Sequence, residues 1–284
     1  MRVWMNGAFV PLADAVIGVR DRGFLLGDGL FETLLWADGR LVDFSAHFER
    51  MRDGASFLCL KIPASREAIE AACRETASTN SGPTGRAAVR ITLSRGEGAR
   101  GLLPPDDAAP LLLVVANPVG EAPIDPVHAS IVSIQRHPGA PSARFKTLSY
   151  VDNIAALHEA RGGGFDEALL LNPRGGLACA SAANLFTLSD NVMATPRVED
   201  GAMPGVVRRR LLEIARGMGV ETRETQLTPE EARGAFCFLT NSLIGLRPIA
   251  SIDGAPGRAP PPVFEELVMK YAAHVSAPEG AVHP

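Results

Sequence analysis

Lysine is almost missing from this chain. Lys61, Lys146 and Lys270 stand against 25 arginines in 284 residues. Tyrosine and tryptophan number two each. Long apolar runs are missing too. The longest, Leu111–Ala116, falls far short of the ~20 residues that a helix needs to cross a bilayer, so no membrane span is expected. A net charge of −4 offers no basic face, which argues against nucleic acid as a partner. The start, MRVWMNGAFVPLADA, has no apolar run behind a basic opening, so no signal peptide and a cytoplasmic location are expected. The four cysteines, Cys59, Cys73, Cys179 and Cys237, have no metal-ligand spacing. Reduced thiols and no metal are expected.

What is present reads as an α/β chain of two domains. Three prolines between Pro118 and Pro126 mark the best linker. The expected division is a small N-terminal α/β domain over 1–118, a linker over 119–126 and a larger domain over 127–284. Val3 to Val10 reads as a hairpin about Asn6-Gly7, and Leu30–Trp36 and Leu41–Phe44 as strands about Asp38-Gly39. Helices are expected over His47–Leu60 behind Ser45 and over Ser65–Ser78 capped by Ser65. Further strands are expected over Arg86–Leu93, Leu111–Ala116, His128–Gln135, Asp166–Leu171, Leu177–Ala180, Asn184–Leu188 and Phe236–Thr240. Further helices are expected over Ser149–Arg161, Val206–Met218 and Val263–His274. The glycines of GFLLGDGLFET suit backbone passing close to backbone. The loop SRGEGARGLLPPDD is either plain coil or an anion-binding surface built on Arg95 and Arg100. Ala255–Pro262 and the tail Ala277–Pro284 read as loose.

Three features carry chemistry. Lys146 lies before a helix and between two expected strands, in an apolar and aromatic setting. A neutral amine there can condense with an aldehyde. In MPGVVRRR a glycine at the mouth of a helix leaves the amides of Val206 and Val207 facing an anion, with the helix dipole in its favour. Asn241-Ser242 ends a strand with two short polar side chains that can reach phosphate oxygens.

In this order, with DRGFLLGDGLFET, HFER, LSRGEGARG, FKTLSYVDN, ANLF, TP and LTNSLIGLRPI, these motifs resemble the class-IV aminotransferases. That family of fold-type IV pyridoxal phosphate enzymes includes D-amino acid and branched-chain aminotransferases and 4-amino-4-deoxychorismate lyases. The resemblance implies the two-domain D-amino acid aminotransferase-like α+β fold, pyridoxal 5'-phosphate as cofactor, a small amino substrate and a homodimer with a shared site. It implies that Lys146 is the Schiff-base lysine and proton shuttle. Arg50 would clamp the cofactor phosphate with Val206, Val207, Asn241 and Ser242. Tyr150 would stand near the phenolate oxygen. Phe31 and Thr33 would line the substrate pocket, and Arg95 or Arg100 would grip a substrate carboxylate.

The chain departs from the family at one position. Five residues before the asparagine of NLF the family places a glutamate that keeps the pyridine nitrogen protonated. Here that residue is Cys179. A thiol cannot do this, so the electron sink is weaker. Three readings follow: a lyase, an aminotransferase, or a cofactor-binding protein with weak or no turnover. Elimination tolerates the change best, because the aromatic product supplies driving force. RGEGARG and LTNSLIGLRPI also look more like the lyases. The expected function is therefore 4-amino-4-deoxychorismate lyase, with a D-amino acid or branched-chain aminotransferase as the alternative.

Overall fold

The computed structural model describes residues 1–277. The expectation for the tail lies outside the described residues, Ala277 excepted. By its own contacts the chain divides into two compact units, and the short segment Phe145–Ser149 belongs with the first, Met1–Glu121, rather than with the flanking chain of the second.

The first unit is a sheet with its two long helices on one face. Its elements are β1 (Arg2–Met5), β2 (Ala8–Pro11), α1 (Arg22–Leu26), β3 (Gly29–Ala37), β4 (Arg40–Leu41), α2 (Phe44–Phe57), α3 (Arg66–Ser81), β5 (Ala87–Ser94) and β6 (Leu111–Pro118). The sheet order is β2-β1-β6-β5-β3-β4, antiparallel throughout. Asn6 and Gly7 both take positive φ, as a two-residue hairpin turn requires. Leu30, Leu34, Phe44, Met51, Ile69, Ile91 and Leu112 share one core. Gly29 has the close approach expected of it: a Cβ there would lie 2.4 Å from the Leu93 carbonyl oxygen. The strand expected over Leu41–Phe44 stops at Leu41. Asp43, at φ 53°, turns the chain into α2, whose first residue, Phe44, is fully buried. Asp43, not Ser45, is therefore the residue that precedes this helix. Ser65 does cap α3, accepting from the Ala68 amide at 3.2 Å.

The second unit holds β7 (Val127–Gln135), α4 (Pro141–Arg144), α5 (Val151–Gly162), β8 (Glu167–Leu171), β9 (Leu177–Ala180), β10 (Asn184–Ser189), β11 (Val192–Pro196), α6 (Val206–Gly217), β12 (Glu221–Thr225), α7 (Pro229–Gly234), β13 (Phe236–Asn241), β14 (Gly245–Ile252), β15 (Ala255–Pro256) and α8 (Pro262–Ser276). Its mixed sheet runs β12-β11-β10-β13-β14-β7-β8-β9, with β15 beside β14. Phe186, Phe238, Phe264, Leu211 and Leu267 join α6 and α8 to this sheet. A separate cluster of Val132, Ala156, Ala160, Ala168, Leu170 and Cys179 joins α5 to β7, β8 and β9. The loop expected over Ala255–Pro262 includes a short paired strand, because Ile252 and Ala255 close a hairpin about Asp253-Gly254.

Candidate active site

Strand β3 sends alternate side chains to opposite faces. Phe31 and Thr33 share one face. Leu30, Glu32 and Leu34 share the other, beneath α2. On the first face Lys146 Nζ stands 4.4 Å from the centre of the Phe31 ring, and the Arg90 guanidinium carbon stands 3.8 Å from it. Lys146 is held there by its backbone. Its carbonyl accepts from the Phe31 amide at 2.9 Å, and Leu148 donates to the Gly29 carbonyl at 3.0 Å. The lysine is half-buried. Arg90 was not among the expected residues. It sits opposite Thr33 across the β3–β5 ladder, so the signal was its place in an alternating strand, RITLS.

On the other face Glu32, 1% exposed, receives three donors. Arg50 Nε and Nη2 lie 2.8 and 2.6 Å from its two oxygens, and His47 Nδ1 lies 2.7 Å away. Burial pushes Glu32 upward, but the Arg50 guanidinium and His47 outweigh it and hold the carboxyl at about 2. Burial also depresses His47, against the pull of Glu32. The Arg50 side chain remains 13% exposed.

Arg95 and Arg100 part company. Arg95 is buried. It donates to both oxygens of Asp28 and to the carbonyls of Leu58 and Cys59 at 2.8–3.1 Å. Those partners tie β5 to the end of α2. Arg100 is exposed on the loop after β5.

In the second unit the phosphate-binding candidates sit at the mouth of α6. Gly205 precedes the helix, no side chain caps it, and no acidic residue lies in its first turn. Val206 and Val207 are buried. Asn184, first residue of the NLF motif, donates to the Met203 carbonyl at 2.9 Å. A Cβ on Gly205 would come 2.0 Å from its Oδ1. The asparagine thus shapes the turn that feeds the helix. Asn241 ends β13. Its Oδ1 accepts from the amides of Leu243 and Ile244, and its Nδ2 donates to the Ala182 carbonyl. Those bonds fold the turn that follows β13. Ser242 is half-buried in the same turn, and Tyr150 is half-buried just before α5.

Cys179 is 5% exposed on β9, opposite Leu170. Burial pushes its thiol up, with Arg136 pulling it down and Glu167 adding to the rise. Arg136 follows β7, is 5% exposed, and also went unmarked in the sequence. Among the described residues no group of histidine, cysteine and carboxylate side chains could hold a metal, and no helix is long and apolar enough to cross a membrane.

The profile described as Amino-transferase class IV matches residues 29–252. The chain belongs to the class IV amino-transferase family. It is 32% identical over 260 residues, 89% of its length and 88% of the relative's, to a Methanocaldococcus jannaschii protein named "Putative branched-chain-amino-acid aminotransferase". It is 27% identical to the aminodeoxychorismate lyase of Bacillus subtilis, over 88% of this chain and 86% of that one. Its fold matches the crystal structure of a branched-chain aminotransferase from Thermoproteus uzoniensis with norvaline. The TM-score is 0.90 at 26% identity, over 98% of this chain and 96% of that chain. Other structures of similar fold hold pyridoxamine 5'-phosphate or pyridoxal phosphate. The mixed α+β fold of this enzyme family is therefore the fold of this chain.

Proposed function

We propose that this class IV enzyme is a pyridoxal 5'-phosphate-dependent lyase that takes 4-amino-4-deoxychorismate to 4-aminobenzoate and pyruvate. The observation that carries the reading is residue 179, a buried neutral thiol where the family resemblance calls for a carboxylate. The residues present suit the coenzyme's phosphate: the uncapped, glycine-opened α6 is a site for an anion. They do not suit a protonated ring nitrogen. Elimination asks least of that nitrogen, because formation of an aromatic ring drives it.

When bound, the coenzyme supplies an aldehyde and an electron sink. Lys146 Nζ takes the proton from the substrate α-carbon and returns one to the departing pyruvate. Phe31 and Arg90 fix where that amine stands. In the first unit Arg50, pinned by Glu32, offers its guanidinium to a phosphate; in the second, the amides of Val206 and Val207 offer their N–H groups. Ser242 and Tyr150 are proposed as further contacts. Phe31 and Thr33 line the substrate pocket, and exposed Arg100 meets a substrate carboxylate.

The second reading, amino transfer on a branched-chain or D-amino acid, is favoured by the 32% identity to the protein named for that activity. A homodimer acting in the cytoplasm completes the proposal. The exposed apolar side chains of Val16, Val19, Phe24 and Leu25 support the dimer. The test is to give purified holoenzyme 4-amino-4-deoxychorismate and to follow pyruvate and 4-aminobenzoate together. Equal amounts of both are expected, and Lys146→Ala should abolish both. No pyruvate, alongside steady amino exchange with 2-oxoglutarate, replaces the lyase reading with the aminotransferase one.

A further inference from the structure

Arg22 is buried in α1, and its guanidinium serves three acceptors at once. Nε donates to Asp28 Oδ2 at 2.9 Å, Nη1 to the Gly101 carbonyl at 2.8 Å and Nη2 to the Leu102 carbonyl at 2.6 Å. Asp28 is shared with Arg95, whose Nε lies 2.8 Å from the same oxygen. Two guanidinium groups thus face one carboxylate, which leaves positive charge over. The two carbonyls answer that charge, and hydrogen bonds from a charged donor are the stronger kind. The base of the hold is itself fixed. Asp21 accepts from the Phe24 amide at 3.0 Å and from the Ser94 hydroxyl. The stem of Arg22 lies against Gly98, where a Cβ would come 2.7 Å from Arg22 Cδ. At Gly101 the backbone takes φ 128°, a turn that glycine allows.

The two held carbonyls follow Arg100 directly in the chain. On its other side the Arg22 amide donates to the Gly96 carbonyl at 2.8 Å, and the Gly98 amide to the Arg20 carbonyl at 3.3 Å. Both flanks of Arg100 are therefore tied to residues 20–22, while its own side chain stays exposed. All of these groups belong to the first unit. An arginine on a free loop loses backbone as well as side-chain entropy when it closes on a carboxylate. Here the fold has already fixed the backbone. We propose that Arg22 is a positioning residue that presets Arg100 for a carboxylate of the amino substrate. The inference rests on the proposed reading of Arg100 as a carboxylate-binding residue.

Limited digestion and substrate kinetics test it together. Arg22→Lys keeps a charge beside Asp28, but one ammonium cannot span three separate acceptors. Trypsin should then cut the apo-protein after Arg100 roughly tenfold faster, because two hydrogen bonds are lost and cleavage follows the population of the open loop. In the holoenzyme, KM for 4-amino-4-deoxychorismate, or for the amino donor if transfer replaces elimination, should rise about tenfold with kcat and coenzyme affinity held. Gly98→Ala displaces the Arg22 stem and removes no charge. It should act in the same direction in both assays, and it carries the test if Arg22→Lys does not fold. Unchanged digestion in the folded variants overturns the inference. Faster digestion with KM unchanged also overturns it, provided that Arg100→Ala raises KM; the reading of Arg100 then survives. If Arg100→Ala leaves KM unchanged, that reading falls and takes the inference with it. A holoenzyme that turns over neither substrate overturns both with the proposed function.

Discussion

Arg50 grips Glu32 with two parallel hydrogen bonds, 2.8 Å from Nε and 2.6 Å from Nη2. Fork-to-fork pairing fixes the plane of the guanidinium as well as its position. A phosphate clamp needs that, because a loose arginine loses entropy on closing around an anion. Glu32→Gln keeps the shape but removes the charge and one acceptor. The first unit should lose about 3–5 kcal/mol in denaturant unfolding, the usual cost of orphaning one partner of a buried pair. Affinity for pyridoxal 5'-phosphate should fall more than affinity for pyridoxal, which lacks the phosphate. An equal fall for both coenzyme forms would confine Glu32 to a structural role.

The same pair sets the acid limit of the fold. Glu32 is held at about 2, against 4.5 for an ordinary glutamate. A depressed carboxyl contributes stability that is complete above the unfolded value and is lost as pH falls through the folded one. At about 1.4 kcal/mol per unit the interval is worth roughly 3 kcal/mol. Asp28 adds in the same direction: burial raises it, and hydrogen bonds from Arg95 and Arg22 bring it below the usual range. Unfolding free energy should therefore decline between about pH 4.5 and pH 2. Glu32→Gln should flatten much of that decline, as a series of urea titrations across the range would record.

How far the fold could be read from the sequence depends on where the information lies. Strand β5 alternates buried and half-buried positions along AAVRIT, and that pattern is local. Strand β12, ETRET, is half-exposed at the end of its sheet and carries no apolar pattern; only pairing with β11 makes it a strand. Strand β14 contains Pro248, a residue that disfavours a strand in local terms, and only its partner strands decide the matter. Lys146 and the glycine-opened start of α6 could be singled out because each sits in a short motif. Arg136 was not. Its surroundings come from Ser142, Asn153 and Gly201, which reach it from separate elements and meet only in the folded chain.

The thiols give a check that needs no mutation. Cys59 is exposed, whereas Cys73, Cys179 and Cys237 are buried. Burial raises the thiols of all three, that of Cys237 to about 12. The thiolate is the reactive form. Native protein should therefore yield one equivalent of thiol with a disulfide reagent near neutral pH, and four in denaturant. Blocking of Cys59→Ser by the reagent within the same minutes would show that a buried cysteine is accessible after all.

Gly205 and Gly217 bracket α6 and should respond oppositely to alanine. At Gly217 a Cβ meets nothing within 4 Å. Replacing a glycine within a helix restrains the unfolded chain and should gain about 0.5–1 kcal/mol. At Gly205 the new Cβ would stand 2.0 Å from Asn184 Oδ1. Asn184 is buried in β10, opposite Thr240, so its amide can yield only by abandoning the Met203 carbonyl. A buried polar group left without its partner costs about 1–3 kcal/mol. The turn that aims the Val206 and Val207 amides moves with it. Gly205→Ala should lower Tm and weaken coenzyme binding by roughly tenfold or more, since each ~1.4 kcal/mol is a factor of ten. Gly217→Ala should raise Tm or leave it unchanged, with coenzyme affinity untouched. If both variants bound coenzyme like the unaltered protein, the mouth of α6 would lose its place as the phosphate site, whatever their melting temperatures.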